Sequence, residues 1–316
     1  MYYNDKRDDV RAVILVATYR RPEMLQSTLR SLLQQDFTDL FDVVVIDNDH
    51  VNLDGAKTAA TFMRHNSMNG CVIVEPTPGN CSALNAAITF ALAAYPNCSI
   101  FLIIDDDEIA APQWVRSIVH RQQSTGAHVV GGPVYPQFCN SKHAFLSNHP
   151  AFKPAYEVSG QVRMIYGSGN CLLTREAIEA AGNPIFDYRF NHLGGGDADL
   201  FNRLRIMGFD FHWCTDSVIY ETVPASRTTF NWLSRRGLRI GAINYLLEKR
   251  ERWGHMRRFI SLSKTILITL LSPYNFLRLW IETRSLLIAY HPFFVALGRW
   301  GVMMNMEYHQ YKPSID

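Results

Sequence analysis

The stretch FLIIDDDEIAAP, residues 101–112, decides how the rest of the chain is read. Four apolar residues run directly into Asp105, Asp106, Asp107 and Glu108. A short unbroken apolar run that ends in a turn is the pattern of a strand buried on both faces. The acids that follow repel one another, and a buried carboxylate is costly unless a positive charge compensates it. Two readings follow. Either the acids form a solvated turn at a helix start, where the macrodipole favours them, or they hold a cation.

Around this stretch the sequence alternates. AVILVA (12–17), DVVVID (42–47), CVIVE (71–75) and SIFLIID (99–105) read as buried strands. Helical patterns separate them at 21–35, 54–66 and 82–94, and Pro22 suits the first turn of the earliest helix. A helix after Pro112 and the strand AHVVGG (127–132) complete four β-α steps. That order predicts an α/β fold, an open and mostly parallel sheet with helices on both faces. Ligands bind such sheets beyond the carboxyl ends of the strands. Thr18 to Arg21, Asp47 to Asp49, Glu75 and the acids after Ile104 would therefore share one edge.

From 133 to 170 the rhythm gives way to aromatic, loop-rich sequence, followed by a strand-like stretch at 162–174. NHLGGGDADLFNRLRIMG (191–208) then joins a triple glycine, two aspartates and a helix closed by Gly208. With 316 residues, 47% of them hydrophobic, the chain can bury a large core and is not a disordered protein. Its six cysteines form no CxxC pair, which argues against a disulfide framework or a zinc site. The charged start MYYNDKRDDV lacks the apolar run of a signal peptide, so export is not expected. The formal charge of +2 conceals a division. Residues 1–225 carry 17 Lys and Arg against 24 Asp and Glu, whereas 226–316 carry 14 against 5.

Acids at several strand ends do not serve stability. Oxygen ligands without Cys or His select Mg²⁺ or Mn²⁺. Mg²⁺ is commonly held by one or two carboxylates, with substrate phosphates completing its shell. An acidic edge can thus take an acidic ligand with the metal between them.

Four elements in order, VATYRRPEMLQSTLRSLLQQ (16–35), VVVIDND (43–49), IIDDDE (103–108) and GGGDADLFNRL (194–204), give the chain a family resemblance. It resembles family 2 glycosyltransferases of the GT-A fold, in particular the bacterial exopolysaccharide and succinoglycan type, from about residue 12 to about 240. The resemblance implies a Rossmann-like, mostly parallel sheet flanked by helices. It also implies metal-dependent, inverting transfer of a hexose from a UDP-sugar to a hydroxyl. By position, Thr18, Arg20, Asp47, Asn85, Asp105 and Asp106 would line the donor pocket. Asp107, Asp105 and Glu221 would hold Mg²⁺ or Mn²⁺, and Arg227, Arg235 and Arg236 would close over the donor phosphates. The family's usual Gly-Gly-Glu-Asp-x-Asp segment supplies a general base; here it reads Gly194-Gly195-Gly196-Asp197-Ala198-Asp199. Asp197 is therefore the expected base and Asp199 a supporting residue, with Gly195, Gly196 and Asn170 facing the acceptor. Gly196 stands where the glutamate is usual, and Leu84 where an arginine is common.

The expected domains are 1–225, catalytic, with a nucleotide-sugar half to about 132 and an acceptor half over 133–225, and a helical region over 226–316. That last region places Lys and Arg beside Phe, Trp and Leu. Its longest uncharged runs, 265–277 and 285–298, fall short of the roughly 18 residues of a spanning helix. A basic amphipathic extension on an anionic membrane surface is expected, at the cytoplasmic face, with a lipid-linked or oligosaccharide acceptor and no nucleic acid partner. Two competing readings were weighed. A phosphatase of the haloacid dehalogenase type needs Asp-x-Asp after an early strand, and here the first strand ends Ala17-Thr18-Tyr19. A non-catalytic membrane scaffold with a sugar-nucleotide fold gains from Gly196 and Leu84, but Asp105, Asp107 and Asp197 argue against it.

Overall fold

The computed structural model describes residues 1–251 and 255–306, so part of the cationic run around 249–258 lies outside the described residues. Two compact units divide the chain: residues 1–135, 154–191 and 195–221, and residues 136–153, 192–194 and 222–316. Residues 136–153 thus leave the expected acceptor half and join the C-terminal helices. The reason is apolar, since Leu146 and Phe152 share a core with Val223, Leu233 and Ile288.

The first unit contains strands β1 (Tyr3–Asp5), β2 (Ala12–Thr18), β3 (Phe41–Asp47), β4 (Gly70–Val74), β5 (Ile100–Asp105), β6 (Glu108–Ala110) and β7 (Val129–Gly131). After β8 (Val134–Phe138) follow β9 (Gly160–Val162), β10 (Cys171–Thr174), β11 (Phe211–Trp213) and β12 (Ile219–Val223). Its helices are α1 (Pro22–Leu33), α2 (Asp54–His65), α3 (Asn80–Ala94), α4 (Trp114–Thr125), α5 (Arg175–Ala181) and α6 (Gly196–Ile206). Nine strands form one sheet in the order β1-β4-β3-β2-β5-β10-β7-β11-β9. β4, β3, β2 and β5 run parallel, and their predominantly apolar runs suit strands covered on both faces. The strand that follows β5 and its helix in sequence is β7. In space β10 lies antiparallel between β5 and β7, with Leu172 opposite both Leu102 and Val130. The expected strand-like stretch at 162–174 divides into β9 and β10, which occupy separate places in the sheet.

The chain adds β3 and β4 on one side of β2 and then returns to place β5 on the other. This reversal opens a crevice between the carboxyl ends of β2 and β5, the usual ligand position in an open α/β sheet. Ala17 is in register with Asp105, so the turn after β2 faces the acidic turn after β5. The inner side of α1 pins that turn. Thr28 Oγ1 lies 2.9 Å from the Asp106 carbonyl and 2.7 Å from that of Glu108, and Ser31 Oγ accepts from Ala110 N. These polar groups sit in α1 because a sharp turn leaves backbone atoms without ladder partners.

The second unit contains α7 (Phe230–Glu251), α8 (His255–Thr283), α9 (Leu286–Ala289) and α10 (His291–Met303). α7 and α10 cross at glycines. A Cβ on Gly241 would lie 2.0 Å from the Val295 carbonyl oxygen, and one on Gly298 would lie 1.9 Å from that of Leu238. Only hydrogen at these positions permits the approach. Close by, the buried Arg299 pairs with Glu248 at 2.6 Å and donates to Thr265 Oγ1 at 3.1 Å.

Candidate active site

Six carboxylates influence one another at the switch point. Asp105 is raised to about 8, by burial first and then by the charges of Asp107, Asp106, Glu221 and Asp197, in that order. Glu108 is also pushed well up, by burial first and then by Asp105. Its carboxylate accepts from Asp105 N at 2.8 Å, and β12 sets Glu221 directly opposite it. Like charges opposed across a strand pair destabilise it, so this arrangement favours a proton or a cation between them.

Asp106 and Asp107 share Arg21. Its Nη1 lies 3.1 Å from Asp106 Oδ1 and 2.9 Å from Asp107 Oδ2, while Thr18 Oγ1 donates to Asp106 Oδ2 at 2.7 Å. Asp106 is thus buried and held from two directions; burial still raises it, with Arg21 opposing. Arg20, the arginine expected in the pocket, instead pairs with Asp49 at 2.8 Å and is half exposed. Sequence reasoning chose Arg20 and passed over Arg21, although both stand in the same quoted motif. The left-handed φ of 54° at Arg20 reverses the chain there.

Asp197 and Asp199 separate cleanly. Asp199 is wholly buried and pairs with Arg203 at 3.0 Å, and Arg203 also donates to the Ala181 carbonyl at 2.8 Å. It braces α6 against α5. Asp197 remains partly exposed in the first turn of α6, with its carboxylate near Ala198 N and about 4.0 Å from where a Cβ on Gly167 would stand. Gly195, left-handed at φ 89°, is the helix cap, so Asp197 is not the cap. Gly196 does not need glycine for its φ. A Cβ there would lie 2.6 Å from Cys81 Sγ, so the cysteine fills the space a side chain would take. Burial pushes that thiol up to about 12, and Asp197, Asp187 and Asp199 add to the shift.

Three expected ligand contacts prove to be scaffold. Asp47 is fully buried, and its two oxygens accept from Asp49 N at 3.0 Å and Ala56 N at 2.7 Å. Asn85 donates to the Phe186 carbonyl at 2.7 Å and accepts from Phe186 N at 2.8 Å. Asn170 donates to the carbonyls of Pro133 and Ser217 and accepts from Trp114 Nε1. Each is buried and hydrogen-bonded to protein, so each braces the fold around the site. Leu84, in the place of the common arginine, is likewise buried.

Arg227, Arg235 and Arg236 belong to the second unit. Arg235 is exposed, while Arg236 is half-buried where its charge acts on His149 and His291. Among the described residues, no group of three or more His, Cys, Asp or Glu side chains converges tightly enough to hold an ion unaided. The donor set is nevertheless all oxygen. Nothing among the described residues donates to the Asp105 carboxylate, the neighbouring acids all raise it, and Arg21 pairs with Asp106 and Asp107. A hard dication supplied with its own phosphate ligands fits this set.

Fold and site together define a sugar-nucleotide transferase architecture, and comparison with known proteins agrees. The family description "Glycosyl transferase family 2" matches residues 13–182, and "Glycosyl transferase family group 2" matches 100–308. The chain belongs to glycosyltransferase family 2. It is 27% identical over 231 residues to the succinoglycan biosynthesis protein ExoM of Rhizobium meliloti, covering 72% of this chain and 71% of that protein. Among solved structures it is similar to the mannosyltransferase PcManGT of Pyrobaculum calidifontis, in complex with GDP-Man and Mn²⁺. That match has a TM-score of 0.58 and 16% identity, and covers 94% of this chain and 90% of that one. It is also similar to residues 1–349 of S. aureus TarS in complex with UDP, with a TM-score of 0.52 and 14% identity over 96% and 94% of the two chains. The fold is GT-A.

Proposed function

We propose that this glycosyltransferase moves a hexose, with inversion, from a UDP-sugar to a hydroxyl of a lipid-linked glycan during surface polysaccharide assembly. The observation that carries the reading is Asp105 in a crevice of carboxylates that includes Asp197, with Arg21 paired to Asp106 and Asp107. Such a crevice repels a bare diphosphate, so a cation must accompany the donor. Asp105, Asp107 and Glu221 are the residues that would hold Mg²⁺ or Mn²⁺, which when bound supplies stabilisation of charge on the departing diphosphate. Mn²⁺ in the PcManGT complex and the succinoglycan biosynthesis of ExoM support this.

Thr18 and Asp106 form the floor beside the donor, fixed by their mutual hydrogen bond. Asp197, the partly exposed acid of its pair, accepts the proton of the acceptor hydroxyl. Gly195, partly exposed, leaves the backbone before it open to the acceptor, while Cys81 fills the space beside Gly196. Arg227 and Arg235 are proposed phosphate contacts by the chemistry of guanidinium forks. The basic C-terminal region locates the enzyme at the cytoplasmic face of the membrane, where a lipid-linked acceptor is found.

Calorimetric titration of UDP with and without Mn²⁺, on wild type and Asp107→Ala, tests the donor site. Binding should require the metal and collapse in the variant. Asp197→Asn should retain that binding and lose turnover. Metal-independent UDP binding, or none, would refute the site and favour the non-catalytic scaffold.

A further inference from the structure

Helix α8 carries a polar row on one side. The row is Ser261, Thr265, Thr269 and Ser272, spaced four, four and three residues apart and so on one helical face. Thr265 and Ser272 are buried, and Thr269 is exposed. Ser261 donates to Glu248 at 3.0 Å, Thr265 accepts from Arg299, Thr269 accepts from Trp300 Nε1 at 2.9 Å, and Ser272 donates to the Pro292 carbonyl at 3.4 Å. The outer row is Phe259, Leu267, Leu270, Tyr274, Leu277 and Ile281, all exposed, with Leu270 at 71%. At about 100° per residue this row falls opposite the inner one. A helix facing water turns its apolar stripe toward the core; α8 turns the polar row inward together with Phe276 and Leu279, and sets a second apolar row outward.

We propose that the outer face of α8 docks the protein on an anionic lipid bilayer, with the helix lying in the interface. The proposal deepens the membrane-face reading above and rests on it. Twenty-nine residues at about 1.5 Å each span about 43 Å, a long contact along a surface. Exposed Arg284 lies just beyond the end of the outer row and exposed Arg278, paired with Glu282 at 3.9 Å, beside it, in a region where Lys and Arg outnumber Asp and Glu, a balance suited to lipid phosphates. The same charges disfavour a second copy of the chain as the occupant. An isologous pairing of two α8 faces would set arginines against arginines between regions that each carry 14 Lys and Arg against 5 Asp and Glu. The stretch Leu286–Met303 reaches the length and hydropathy of a crossing segment, where the sequence reading found its uncharged runs too short. It is nonetheless broken at Tyr290 between α9 and α10 and is 39% buried, so it serves the packing of the unit.

The test is co-sedimentation of the full chain with vesicles of phosphatidylcholine alone or mixed equally with phosphatidylglycerol. Wild type should bind the mixture and lose at least tenfold on phosphatidylcholine, while Leu270→Gln/Leu277→Gln should weaken binding about a hundredfold. Metal-dependent UDP binding, retained in the variant, shows that it is folded and separates failure of this proposal from failure of the transferase reading. Wild type that binds neither vesicle, or a variant that binds as wild type does, overturns the proposal. A dimer in sedimentation velocity that this variant dissociates, without vesicle binding, assigns the face to a second copy and overturns it too.

Discussion

Gly196→Ala restores one carbon toward the residue usual at that place, and it should destabilise the protein. The added Cβ would lie 2.6 Å from Cys81 Sγ, whereas a comfortable contact needs about 3.5 Å or more. Phe186 and Phe190 are both 3.6 Å away, so Cys81 alone obstructs. Cys81 is buried in α3 and cannot swing into solvent. Overpacking of this kind costs about 1–3 kcal/mol. Alanine recovers up to about 1 kcal/mol over glycine in a helix, less in a first turn, so the net loss should be about 1–2 kcal/mol. Gly196→Ala/Cys81→Ala should be less destabilised than the two single losses combined, because the obstructing sulfur is gone. Urea unfolding of the four proteins, followed by tryptophan fluorescence, gives the coupling. Turnover should fall in Gly196→Ala and partly return in the double variant, since the displaced turn carries Asp197. Gly196→Ala as stable as wild type, or strictly additive losses, would refute the idea that Cys81 occupies this space.

Two further predictions rest on named contacts. Arg21→Gln removes the positive charge on Asp106 and Asp107, so Mn²⁺ should bind on the order of tenfold more tightly while metal-free stability falls. Calorimetry with Mn²⁺ alone reads this, and an unchanged or weaker affinity would show that Arg21 does not compete with the cation. His149 and His291 meet in T-shaped contact at 4.8 Å. Burial lowers them to about 3 and about 4, with the Arg236 charge adding to both. Both lie below the roughly 6.5 of an unfolded histidine, so the unfolded chain binds more protons in acid. Their contribution is complete above about pH 6.5 and is lost as pH falls toward 4, up to about 2 kcal/mol per histidine between pH 7 and 5. Denaturant midpoints for wild type and His291→Phe should show a weaker pH dependence in the variant; equal slopes would mean that His291 is already charged in the fold.

The main strands and helices through residue 132, though not the short β1 and β6, were legible in the sequence, as were the acids at the end of β5 and the family itself. Apolar runs, turn residues and motif order are local properties, and they survive reading along one dimension. The partners of each polar group were not legible. Thr18 meets Asp106 across 88 residues and Asn85 meets Phe186 across 101, and no spacing rule distinguishes an asparagine that clamps a backbone from one that faces a ligand. For the same reason the sequence favoured Arg20 over Arg21 and left Gly196 as a bare departure from the family pattern. Only the packing of α3 against α6 shows Cys81 in the missing side chain's place. The C-terminal region makes the contrast sharpest. Its basic, amphipathic character was read from composition, but which face of α8 turns outward depends on Arg299, Glu248 and Thr265 meeting from three helices. That meeting fixes the polar row inside and leaves the apolar row to face its surroundings. A sequence carries the two stripes; only the tertiary structure decides which one is buried.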